Sequence, residues 1–175
     1  MNTADTTLNA IFSRTSVRDY TAEPLSDETL TTLVKAGMAA PSARNTQPWH
    51  FIAITRRALL DAMAAELPNA KMLAKAPAAI VVCGDLTKAF PDRPAQDYWI
   101  QDTSAATQNI LLAAHALGLG AVWTGVHPTP RVQTVTQRLD LPPHLIPLCV
   151  IALGHPAESP APKDKWNPAA LQWLR

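Results

Sequence analysis

Two unbroken apolar runs, AAIVVCG at 78–84 and LIPLCVIALG at 145–154, constrain this chain more than any other feature. A strand with one wet face alternates apolar and polar residues, so a run without alternation reads as a strand of a buried sheet. WHFIAIT at 49–55 and AVWTGV at 121–126, rich in aromatic and branched residues, read as further strands. Between them the pattern is helical. Residues 4–13 place Leu8, Ile11 and Phe12 on one face, and 26–39 open with a capping serine and an acidic first turn before Leu30, Leu33, Val34 and Met38 recur at helical spacing. Segments 56–67, 97–118 and 128–140 read as helices, the longest ending at Gly118 and the last carrying proline near its start. At 175 residues the expectation is one domain spanning 1–175 around a buried sheet.

Small residues dominate the middle of the 97–118 helix: Ser104, Ala105, Ala106, Ala113 and Ala114 would admit a closely packed neighbour, either within the core or across a subunit interface. Gln108 and Asn109 in the same helix read as packing polar groups. From about 155 to 175 the chain is rich in proline and carries Trp166 and Trp173, a composition suited to an extended arm lying on another surface. Hydrophobic residues make up 47% of the chain against 17% charged, apolar enough to suggest burial against a second subunit. With a net charge of +1 there is no global field to favour nucleic acid or an anionic membrane. No apolar run approaches the length of a membrane-spanning helix and MNTADTTLNA lacks the pattern of a signal peptide, so a cytoplasmic location is expected. Cys83 and Cys149, both embedded in apolar runs, read as buried free thiols.

The usual loops and elbows of catalysis are missing. None of the six glycines forms a dinucleotide fingerprint or a P-loop, so any bound phosphate must be held by side chains. The five histidines have no metal-ligand spacing, and neither cysteine nor any serine sits in a nucleophile motif. Chemistry in such a chain would be carried by an organic cofactor.

Four short segments bear on that cofactor. RTSVRDY at 14–20 sets Arg14, Thr15, Ser16 and Arg18 together after the first helix; alone it reads as solvated arginines at a helix end. PSARNTQPWHF at 41–51 alone reads as a loop of turn formers. With AATQNILLAAHALGLGAVWTGV and LGHPAESPAPKDKW in series, the stretch from Ile11 to Trp166 resembles the FMN-dependent nitroreductase family. The resemblance implies an α+β fold, a mixed, mostly antiparallel sheet flanked by helices, in an interlocked homodimer whose C-terminal arms wrap the partner and whose FMN sites lie at the interface.

Position by position, the resemblance assigns Arg14 and Ser16 to the FMN phosphate, counts Thr15 between them among the cofactor-binding residues, and assigns Arg18 to the pyrimidine side of the ring, where reduction develops negative charge. Pro41 and Ser42 match residues reaching the flavin from the partner subunit, Asn45 an amide from the same chain, and Gln47 stands in the same loop. Thr124 and Gly125 match the strand end that points a hydroxyl or a backbone amide at the flavin nitrogen accepting hydride, and Thr124 is the candidate catalytic residue. Lys163 and Lys165 stand where the family places cations for the phosphate. The implied activity is hydride transfer from NADH or NADPH through FMN to a nitroaromatic, quinone or related small planar acceptor, in ping-pong fashion. The alternative is a flavin-binding protein of the same fold serving storage or sensing. The short segment 86–99 implies an open substrate pocket, with Phe90, Tyr98 and Trp99 either bordering it or packing in the core.

Overall fold

The computed structural model describes residues 3–92 and 94–175; Met1, Asn2 and Arg93 lie outside them. Its main elements are α1 (Thr3–Ser13), α2 (Asp27–Met38), β1 (Trp49–Ile54), α3 (Arg57–Glu66), β2 (Ala78–Asp85), α4 (Tyr98–Ala116), β3 (Gly120–Gly125), α5 (Arg131–Leu139) and β4 (Leu145–Gly154). The four strands form one sheet in the order β1-β2-β4-β3, and all three pairings are antiparallel. The parallel component of the expected mixed sheet has no counterpart among the described residues.

The apolar runs lack alternation because helices cover both faces of the sheet. Ala79, Val81 and Cys83 of β2 with Val150 and Ala152 of β4 pack against Leu60 and Met63 of α3 and Val135 of α5. Their neighbours in sequence, Ile80 and Val82 with Cys149, Ile151 and Leu153, face Leu30 and Leu33 of α2 and Ile110, Leu111 and Ala114 of α4. Pro147, which has no N–H to give, is tolerated in this central strand beside a register shift between Val82 and Cys83. Cys83 and Cys149 are buried free thiols, and burial pushes each up to about 12.

Local signals place the helix ends. Ser26 Oγ accepts the Thr29 N–H at 3.1 Å and starts α2. At the end of α4, Gly118 takes φ +74° while the Leu119 and Gly118 amides close onto Ala114 and His115 at 2.8 and 3.0 Å, which satisfies two terminal carbonyls. Helix α5 starts at Arg131 rather than 128, with Pro130 at its N-cap position; proline disfavours the helical conformation in the residue before it, which shortens the helix past Pro128 and Pro130. Two of the five small residues are fully buried in the chain's own core, Ala106 and Ala114, whereas Ser104, Ala105 and Ala113 are half-buried. Asn109 Nδ2 donates to the Ala36 carbonyl at 3.1 Å and ties α4 to α2, as a packing amide. Trp99 belongs to the core and not to a pocket rim: it is buried over Gly84 and meets His127 edge-on at 4.9 Å.

The apolar face of α1 is left uncovered, with Phe12 73% exposed and Leu8 and Ile11 near half. Beyond Pro156 the tail is extended and exposed apart from a 3-10 turn at Pro168–Ala170, and Trp166, Trp173 and Leu174 stand in the open at 69%, 68% and 88%.

Candidate functional site

The segment 14–20 leaves α1 and runs beside β3, the free edge of the sheet. Val17 N–H donates to the Ala121 carbonyl at 3.1 Å, and Tyr20 bridges Pro156, with Thr21 N–H on the His155 carbonyl at 2.9 Å. Val17 and Tyr20 are buried by this docking, Arg14, Thr15 and Ser16 are half-buried, and Arg18 is exposed. Burial pushes the Tyr20 phenol far above its usual range, against the lowering effect of the Arg18 charge nearby.

Beside this segment lies a cleft of about 490 Å³ with three walls. Val122, Trp123, Thr124 and Gly125 of β3 form one, Arg18 the second, and Pro68, Asn69, Lys71 and Met72, from the turn after α3, the third. An ion pair between Lys75 and Asp19, 2.8 Å long, ties the last two together. The lining carries two cations and no acid. Among the described residues no carboxylate pairs with Arg14, Arg18, Lys163 or Lys165, so their charges are available to an anion.

Gly125 leaves open space in the wall of the cleft. A Cβ built there meets nothing within 4 Å, in contrast to Gly84 and Gly120, where it would strike Trp99 at 2.2 Å and Val17 at 2.7 Å. The fold itself does not need glycine at 125. A flat group lying against the strand would need it. The Gly125 carbonyl accepts from Arg131 Nη1 at 3.1 Å, which steadies the strand end.

The loop after α2 is built differently. Arg44, Asn45 and Gln47 all take positive φ, at 50°, 56° and 49°. Non-glycine residues in this region cost about 1–3 kcal/mol each, least for asparagine, and persist only where surrounding contacts hold them. Here Gln47 N–H donates to Ser42 Oγ and Gln47 Nε2 to Asn45 Oδ1, both at 3.0 Å, and the Arg44 guanidinium lies 5.5 Å from the centre of the Phe90 ring. From beneath, Asp102 of α4 accepts the Ala43 N–H at Oδ1, 3.0 Å away, while being only 5% exposed. Burial raises its carboxyl above the ordinary range, opposed by that N–H. Among the described residues, Asp102 Oδ2 and Thr46 Oγ1 are both buried without a hydrogen-bond partner.

The structure thus brings Arg18, Thr124 and Gly125 to one cleft and sets Arg14, Thr15 and Ser16 on the segment that flanks it. Pro41, Ser42, Asn45 and Gln47 stand on their own strained loop, and Lys163 and Lys165 lie exposed on the arm; none of these six lines the cleft. Sequence reasoning missed Asn69, Lys71 and Asp102. PNAK after a helix end and a lone carboxylate among apolar helix positions were the available signals.

An all-antiparallel sheet packed between helices, with a cationic cleft on its edge strand, defines an α+β protein. The chain belongs to the nitroreductase family, whose model matches residues 11–155. It is 43% identical over 162 residues to the "Putative NADH dehydrogenase/NAD(P)H nitroreductase" of Methanothermobacter thermautotrophicus, covering 92% of this chain and 83% of that one. A crystal structure of the protein of the same name from Parabacteroides distasonis superposes with a TM-score of 0.90 at 47% identity, over 95% of this chain and 96% of that one. A nitroreductase from Desulfovibrio desulfuricans, solved in complex with FMN, has a TM-score of 0.84 at 33% identity, over 100% of this chain and 98% of that one.

Proposed function

We propose that the protein is an FMN-dependent oxidoreductase that uses reduced nicotinamide. The observation that carries this reading is the open space at Gly125 in a cleft lined by Arg18 and Lys71 without an acid. A ring system bearing negative charge at one edge fits that donor set. FMN, when bound, would supply the hydride chemistry between NADH or NADPH and a nitroaromatic, quinone or related planar acceptor, in alternating half-reactions.

The chain's own residues would bind and orient. Arg14, with the Thr15 and Ser16 hydroxyls, holds the phosphate dianion, since a guanidinium offers two parallel donors where a glycine loop is lacking. Lys163 and Lys165 add charge from the arm. Arg18, with Lys71 across the cleft, keeps positive charge at the ring's pyrimidine edge, and Thr124 presents its hydroxyl or backbone amide to a ring nitrogen. Asn45 and Gln47 contribute from the same chain, Pro41 and Ser42 from a second copy. Self-association as a homodimer is supported by the apolar surface left open on α1 and on the arm, where Phe12, Trp166, Trp173 and Leu174 are more than two-thirds exposed.

Protein purified with FMN should show a flavin absorbance band that bleaches anaerobically on adding NADH or NADPH. Absence of the band would remove flavin binding, and a band unchanged by either nucleotide would leave a flavin-binding protein without turnover.

A further inference from the structure

We infer that Asp102 is a positioning residue for the flavin: its carboxylate, reaching out of α4 to the Ala43 N–H, holds the Pro41–Gln47 loop in the shape that meets the cofactor. This rests on the flavin reading above. Three observations converge on it. The loop carries left-handed Arg44, Asn45 and Gln47, a shape that has to be held from outside. The external tie from α4 is the 3.0 Å bond from Ala43 N–H to Asp102 Oδ1, across 59 residues of chain. And Asp102 is an acid kept 5% exposed with its second oxygen unpartnered, an arrangement costly for the fold alone and so in need of another reason.

The bond also has a readable polarity. An asparagine at 102 keeps an oxygen that can accept from Ala43, whereas a leucine of similar size cannot. The donor can be deleted independently. Ala43 begins the 3-10 turn Ala43–Asn45, and Ser42 before it is extended at φ −140°, ψ 154°, the conformation a following proline demands. Ala43→Pro therefore removes the N–H and leaves Asp102 in place.

The test measures FMN affinity by quenching of flavin fluorescence, and amide exchange across residues 43–47 without FMN, in the wild type and in Asp102→Leu, Asp102→Asn and Ala43→Pro. The expected result is FMN affinity lower by about tenfold or more in the leucine and proline variants, with faster exchange in the loop, and affinity within about threefold of wild type for asparagine. Full FMN affinity in Ala43→Pro, or an asparagine variant as impaired as the leucine one, would overturn the inference. If Asp102→Leu does not fold, the asparagine and proline variants still decide it. A wild type that binds no FMN would sink the flavin reading instead, and the exchange measurement would still report whether Asp102 holds the loop.

Discussion

Gly125→Ala isolates the cleft from the fold. The added Cβ meets no atom within 4 Å and the residue does not take a positive φ, so the folded chain accommodates it. Gly→Ala at a compatible position stabilises by about 0.4–1 kcal/mol, because the unfolded chain loses freedom. In a protein of 175 residues each kcal/mol moves Tm by roughly 2–4 °C, so apo Tm should rise by about 1–4 °C. The same methyl occupies space that the flavin reading gives to the ring. Forcing an extra carbon into a filled contact costs about 1–3 kcal/mol, which is roughly 5- to 150-fold in FMN affinity. Gly120→Ala, in the same strand, is the contrast: its Cβ would lie 2.7 and 2.9 Å from Val17 and 3.3 Å from Tyr20, so apo stability should fall by about 1–3 kcal/mol. Scanning calorimetry on both apo variants and fluorescence titration with FMN read the two effects. If Gly125→Ala binds FMN as wild type does, the ring does not lie in this cleft; if its apo Tm drops as that of Gly120→Ala should, the open space is not real.

Arg14→Ala should weaken FMN binding severely while leaving self-association intact, as read by titration beside sedimentation; unchanged affinity would contradict the phosphate assignment. Leu33→Ala removes a side chain with no exposed surface from the α2–α4 face and should cost about 3–5 kcal/mol in chemical denaturation, with a loss below 1 kcal/mol contradicting the packing described. The Asp102 carboxyl is raised by burial, so its contribution to stability is present at low pH and is lost as pH climbs from the usual carboxylate range through its folded value. Apo Asp102→Asn should therefore gain Tm relative to wild type as pH rises across that window, and a constant difference would contradict a raised carboxyl.

Strands, helices and most of their ends were legible because local chemistry sets them. The runs at 78–84 and 145–154 lack alternation since helices cover both faces, Ser26 accepts the amide that starts α2, and Gly118 adopts the left-handed turn that ends α4. The cluster Arg14, Thr15, Ser16 and Arg18 was legible for the same reason: four residues adjacent in sequence stay adjacent in any fold. Trp99 was ambiguous, because whether an aromatic residue is buried depends on what arrives above it, here His127 and the bare face of Gly84. Lys71 stands across a cleft from Arg18, and Asp102 meets Ala43 from another helix; both pairings join residues more than 50 positions apart. Periodicity carries no information on such meetings, because they follow from the order β1-β2-β4-β3 and from how helices settle on its two faces. Sequence alone determined which segments would be buried and which cations stand close together along the chain. Only tertiary structure decided which of them share a cleft, since that depends on the path of the chain between them.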